Sequence, residues 1–175
     1  RVAAAMPHQL FISEDAGKTW NKVPLTPPVK THDYVTAVTL SPYNKNTLCI
    51  GTAFHGVFIT KDGGKTWRSL NTNLRKLYQG AGFYNEISGI TFFPGKEHML
   101  LLSAGYGQGI FTLHLKSGNL TKVEEPYGGP LHVQRMQGHA GGEAGDKKNR
   151  LEVVAEEGHF VYKPDTARWL YYALH

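Results

Sequence analysis

Cysteine is nearly missing from this chain of 175 residues. Its one copy, Cys49, lies in the apolar run Leu48-Cys49-Ile50, where a small buried hydrophobe is expected rather than a nucleophile or ligand. A single cysteine excludes an internal disulfide framework. Long hydrophobic runs are missing too. No segment approaches the roughly 18 consecutive apolar residues of a spanning helix, so no membrane span is expected. Concentrated charge is scarce. Lys and Arg total 19 against 14 Asp and Glu, a net charge of +5, yet they are scattered, with Lys147, Lys148 and Arg150 as a rare short group. A nucleic-acid groove needs clustered cations interleaved with stacking aromatics, so no nucleic-acid partner is expected. The nine histidines include no H-E-x-x-H, and no C-x-x-C occurs, so no metal is expected. The glycine-rich stretch 138–146 lacks the Lys-Ser/Thr and helix of a phosphate loop, so no cofactor is expected.

What the chain does have is glycine (20 residues) and tyrosine plus phenylalanine (9 and 8), with a hydrophobic share of 41% and a charged share of 19%. That balance suits many short strands joined by tight turns. Self-similarity is the decisive feature. Phe11-Ile12-Ser13-Glu14-Asp15-Ala16-Gly17-Lys18-Thr19-Trp20 recurs as Phe58-Ile59-Thr60-Lys61-Asp62-Gly63-Gly64-Lys65-Thr66-Trp67. Two weaker copies start at Phe111 and Phe160. The third loses the Asp and ends on Leu120; the fourth loses the Gly and ends on Trp169. The four starts are 47, 53 and 49 residues apart, the length of a four-stranded propeller blade.

The rest of each repeat fits. Segments 35–42 and 87–94 align as alternating inner strands that end at a turn proline. Segments 48–52, 99–103 and 151–155 read as second strands. Third strands begin at Val57, Ile110 and His159, and fourth strands follow Trp20, Trp67, Leu120 and Trp169. The expected fold is therefore an all-β propeller of four-stranded antiparallel blades, nearly four of them present and the ring incomplete. The blades are expected at about 1–26, 27–74, 75–126 and 127–175. The first lacks its inner strand, because residues 1–5 already correspond to a second strand. The remaining blades are expected from the same longer chain or from a partner subunit, because open sheet edges are a liability.

Both full copies fit S/T-x-D-x-G-x-T-W, and the chain resembles the Asp-box (BNR) repeat proteins: sialidases, xyloglucan-cleaving glycosidases, sortilin-type receptors and photosystem assembly factors. In that pattern Ser13, Asp15, Gly17, Thr19 and Trp20, with Thr60, Asp62, Gly64, Thr66 and Trp67, are structural. The Asp accepts turn amides, the Gly takes positive φ, and the Trp packs on its hairpin and the neighbouring blade. The resemblance implies an extracytoplasmic location, secreted or periplasmic, and a functional face opposite the boxes. On that face the between-blade connections and second-to-third-strand loops carry His32, Asp33, Phe54, His55, Tyr84, Asn85, Glu86, Tyr106, Gln108 and His132. Rings beside carboxylates and imidazoles suit a glycan or protein ligand. His8, His55 and His159 are expected in equivalent loops.

Two enzyme readings bear on the same residues. A sialidase needs an arginine cluster, and the six arginines here form none. A two-carboxylate glycosidase points to Asp33 and Glu86, which precede successive inner strands, with a cleft shared with blades outside this chain. The plainer alternative makes both exposed loop carboxylates that satisfy turn amides. The expectation is a binding or scaffolding surface without a complete catalytic site in this chain.

Overall fold

The computed structural model describes residues 1–25, 32–70, 74, 86–105, 107–126, 129, 131–139, 149–164, 166 and 168–172. Fifteen strands follow in chain order: β1 (Val2–Met6), β2 (Gln9–Ser13), β3 (Asn21–Val23), β4 (Val35–Leu40), β5 (Leu48–Thr52), β6 (Val57–Thr60), β7 (Arg68–Ser69), β8 (Ile87–Phe92), β9 (Met99–Ala104), β10 (Gly109–His114), β11 (Leu120–Lys122), β12 (Val133–His139), β13 (Arg150–Ala155), β14 (Gly158–Lys163) and β15 (Arg168–Tyr172). They form one sheet of three strands, β1-β2-β3, and three of four strands, β4 to β7, β8 to β11 and β12 to β15. Each sheet is an antiparallel meander, and the four are successive blades of a partial β-propeller.

Pairing fixes how the repeats correspond. Phe11 faces Ala4, Phe58 faces Ile50, Phe111 faces Leu102 and Phe160 faces Val153. Side chains alternate between faces along a strand, so each blade has one face toward the blade before it and one toward the blade after. Apolar residues fill both where blades meet. Leu10, Ile12 and Val23 of blade 1 pack with Leu48 and Ile50 of blade 2. Cys49, Val57 and Ile59 pack with Ile87, Leu100, Leu102 and Phe111 of blade 3. Leu101 and Ile110 pack with Leu151, Val153 and Phe160 of blade 4. Leu48, Ile50, Leu100, Leu102, Leu151 and Phe160 are fully buried, each contributing on the order of 1.5–3 kcal/mol from burial. These seams are the core.

Every inner strand carries a bulge near its start: Val35/Ala37 in β4, Ile87/Gly89 in β8 and Val133/Arg135 in β12. The extra residue flips the alternation and adds local twist. Side chains also stitch inner strands across the seams: Thr36 Oγ1 donates to the Ile87 carbonyl at 2.7 Å, and Thr91 Oγ1 accepts from the Gly138 amide at 3.0 Å.

The two full motif turns share one network. Ser13 Oγ donates to Asp15 and accepts from Gly17 N, while Asp15 accepts from Thr19 N and Thr19 Oγ1. Thr60, Asp62, Gly64 and Thr66 repeat each bond. Gly17 and Gly64 sit at φ of 95° and 96°, where an L side chain is strained. In the third repeat, which lacks the Asp, His114 Nδ1 takes the Ser117 amide instead, at 3.2 Å.

The tryptophans diverge. Trp67 Nε1 donates to the Pro24 carbonyl of blade 1 at 2.9 Å, and Trp169 Nε1 to the Glu124 carbonyl of blade 3 at 2.8 Å. Each ties its blade to the preceding one. Trp20 donates within its own turn, to the Gly17 carbonyl, and is 43% exposed. The expected packing on a neighbouring blade is therefore present for Trp67, while Trp20 belongs to the first of the described blades.

Candidate functional site

The end of the blades opposite the motif turns collects the second-to-third-strand turns and the segments that enter the inner strands. Backbone bonds tie the two together in the same way in each blade. Ala53 N donates to the Tyr34 carbonyl, Gly105 N to that of Glu86 and Glu156 N to that of His132. Tyr34, Glu86 and His132 are therefore one position in three blades. Strand pairing makes His8, His55, Gln108 and Glu157, each three residues before the aligned phenylalanine, equivalent turn positions in the four blades. His159, expected in this group, lies instead within β14 opposite Val154 and Tyr172. The turns differ in length, so counting along the sequence misplaces it.

On blade 2, Asp33 is buried with 0% exposure, not the exposed loop carboxylate of the plainer sequence reading. Its Oδ1 accepts from Tyr34 N at 2.9 Å and Phe54 N at 3.0 Å, and its Oδ2 lies 2.8 Å from His55 Nδ1. Burying a carboxylate is costly unless it is paired and hydrogen-bonded, and here all three partners come from the two segments that the carboxylate joins. Against that carboxylate acceptor, Nδ1 of His55 is the donor. Thr52 Oγ1 supports the same turn by accepting from His55 N at 3.1 Å. Beside it the rings of Tyr34 and Phe54 meet edge to face, with centroids 5.8 Å apart, and Tyr34 is 41% exposed.

Blade 4 makes a similar pair with the chemistry exchanged, its histidine one position beyond that of Asp33. His132 occupies the inner-strand entry and Glu157 the turn; His132 Nδ1 lies 2.5 Å from Glu157 Oε1, and His132 N donates to Oε2 at 3.0 Å. The Glu157 hydrogen bond, reinforced by its charge, raises the His132 pKa above the usual imidazole value. Burial pushes the Glu157 carboxyl up, but the bonds from His132 outweigh it and leave its pKa below the ordinary value. His132 also crosses to blade 3. A Cβ on Gly107 would stand 3.0 Å from His132 Nε2, and Gly107 has φ of +68°, so a larger residue there would be strained and would press on the ring.

Blade 3 contributes Glu86, half-buried at the shared position, with its side chain against Gly105. Gln108 is half-buried and His32 exposed. Tyr84, Asn85 and Tyr106 lie outside the described residues. The sequence reading missed Glu125, a buried carboxylate that accepts from Ile110 N at 2.8 Å and Leu131 N at 2.5 Å. It holds the blade 3 to blade 4 connection against the blade 3 turn. An isolated glutamate between two loops carries no pattern to find it by. Among the described residues no group of three or more His, Cys, Asp or Glu is placed to hold a metal, and no helix is long and apolar enough to cross a membrane.

Residues 8–108 match the Sortilin-Vps10 family, described as sortilin, neurotensin receptor 3. No curated protein matches the chain. Similar solved structures include the GH74 enzyme of Niastella koreensis, with a TM-score of 0.62 at 16% identity over 93% of this chain and 25% of that one. YCF48 bound to D1 peptide gives 0.58 at 15% identity, over 95% of this chain and 48% of that one. A chain of the COPII outer coat vertex on membranes gives 0.62 at 13% identity, over 98% and 46%. At these identities the likeness is one of fold. The chain spans about a quarter of the GH74 enzyme's length.

Proposed function

The chain belongs to the Sortilin-Vps10 family, and from that premise we propose that the turn face opposite the motif turns is a binding surface for a glycan or protein ligand, working outside the cytoplasm, secreted or periplasmic. The observation that carries this reading is the Tyr34–Phe54 ring pair beside His55, whose orientation the buried Asp33 fixes. An exposed aromatic edge stacks on sugars or apolar side chains, and a ring nitrogen of set orientation gives direction to the contact. His32, Glu86, Gln108 and His132 add polar groups on the same face, and Tyr84, Asn85 and Tyr106 belong to its connecting loops by sequence. The two intact boxes serve as hairpin staples on the opposite face. The remaining blades of the ring complete the surface.

The alternative, a glycoside hydrolase whose cleft is shared with further blades, is favoured by the GH74 fold likeness alone. Asp33 speaks against it within this chain. A catalytic carboxylate must meet the substrate, whereas both Asp33 oxygens are engaged by protein donors at 0% exposure. The test uses xyloglucan oligosaccharides and an arrayed peptide library. Replacing Tyr34 and Phe54 by alanine is expected to weaken binding of the retained probe by about tenfold. Asp33→Asn and Glu86→Gln should leave any turnover unchanged. Turnover of xyloglucan that either amide abolishes would reverse the assignment.

A further inference from the structure

The repeat brings the same positions to the motif-turn end of each seam, so their chemistry can be compared directly. At the seam of blades 2 and 3, Lys61 and Arg68 come from blade 2, and His98 and Lys116 from blade 3. Arg68 is the cross-strand partner of Ile59, whose side chain packs against blade 3, and Lys61 lies two residues past Ile59. Cross-strand partners and alternate residues share a face, so both cations stand on the side turned to blade 3. Strand pairing makes Glu14, Asn21, Asn46 and Gly63 the equivalents at the seam of blades 1 and 2. At its seam with blade 4, blade 3 has His114 and Thr121 in the places of Lys61 and Arg68. Closing a seam therefore does not require these cations.

Between them lies a groove of about 470 Å³, with the buried Ile59, Phe92 and Leu115 in its lining. Further blades of the ring add at blades 1 and 4, and both walls of this groove are already in place. Its cationic turns are held by main chain. Leu115 N donates to the His98 carbonyl at 2.8 Å, joining two turns of blade 3. Arg68 Nη2 crosses the seam and donates to the Leu115 carbonyl at 3.2 Å. That bond anchors the guanidinium and leaves its other N–H groups without a partner among the described residues. Glu97 is the one carboxylate in the described lining. Asp62, beside Lys61, directs its oxygens to Thr60 and Thr66 within the turn. Three fixed cations thus face one free carboxylate in a partly enclosed cleft, where charge of one sign focuses the field on an incoming anion.

We propose that this groove binds a sulfate or phosphate monoester carried on a sugar residue. A guanidinium with free N–H groups matches the oxygens of such an ester, and the two lysines add point charges around it. A carboxylate offers two oxygens; a sulfate or phosphate monoester offers three, one for each fixed cation. The volume suits a ligand of sugar size, with its carbon skeleton against the apolar lining. The groove lies at the end of the blades opposite the Tyr34–Phe54 surface and stands whatever that surface binds.

The experiment titrates glucose 6-sulfate, glucose 6-phosphate and glucose into the full-length protein at physiological ionic strength, read by calorimetry. At least one ester should bind and glucose should not, and the tighter ester names the source of the anion. Lys61→Glu with Lys116→Glu should weaken ester binding by roughly tenfold or more. Arg68→Lys, which keeps the charge and loses the fork, should weaken it by about fivefold. Lys18→Glu with Lys22→Glu, an equal change of net charge on blade 1, should leave it unchanged. Equal losses in the two double variants would reduce the effect to net charge and overturn the proposal. So would binding of glucose as tight as that of the esters, or no ester binding. Should the groove variants not fold, amide shifts induced by the ester in the unaltered protein decide. Shifts centred on residues 61, 68, 98 and 116 support the site, and shifts elsewhere refute it.

Discussion

The first and second motif turns are near duplicates in bonding and differ in surroundings. Ser13-Asp15-Gly17-Thr19 and Thr60-Asp62-Gly64-Thr66 make the same bonds within the turn. Only the second is wedged against another blade. A Cβ on Gly64 would lie 2.1 Å from Val23 Cγ1, whereas one on Gly17 would meet Trp20 at 3.7 Å. The contrast separates what the motif does alone, which is to close a hairpin, from what it does in context, which is to seat one blade on the next. Blade 1 comes first among the described residues, so its turn shows the hairpin role by itself.

Substitutions should widen this gap in a definite order. Gly64→Ala is expected to cost about 3 kcal/mol, combining positive-φ strain with overpacking against Val23. Gly17→Ala carries the strain alone and should cost about 1 kcal/mol. Urea unfolding of both variants checks the difference; equal costs would mean that the seam yields freely. Next comes Trp67→Phe, which leaves the Pro24 carbonyl without its donor and should cost about 1–2 kcal/mol. Trp20→Phe, on an exposed ring, should stay within about 0.5 kcal/mol.

Acid should act on the two turns alike. The Thr19 amide, then the Thr19 and Ser13 hydroxyls, lower the Asp15 pKa to about 2, and the Thr66 hydroxyl and amide lower that of Asp62 further. A depressed folded pKa means stability that is complete above the unfolded carboxylate value and lost as pH falls through the folded one. Melting temperature should therefore decline below about pH 4, and the Asp15→Asn/Asp62→Asn double variant should flatten that decline. The smallest effect is expected at the other end of the blades. His132 has a raised pKa and Glu157 a lowered one, so their pairing persists between those two values. It weakens as pH rises past the first or falls past the second. In Glu157→Gln the His132 ring, followed by NMR, should titrate nearer the ordinary imidazole value.

The sequence made the repeat, the blade order and the three-stranded first sheet legible, because Phe-to-Trp spacing and glycine-bearing turns are local signals. Faces were harder to read. Each inner strand carries a bulge, so counting alternate residues from its start assigns every later side chain to the wrong side. Turn lengths hid the rest. His55 and Glu157 correspond only once pairing is known, and the burial of Asp33 depends on two segments 21 residues apart closing over it.

The side-chain bonds across seams all reach about one repeat along the chain: 43 residues from Trp67 to Pro24, 45 from Trp169 to Glu124, 47 from Gly138 to Thr91 and 51 from Thr36 to Ile87. A blade thus waits only for its immediate successor to emerge before its stitches can close. Within these blades each newly made repeat can seal the last, like links added to a belt.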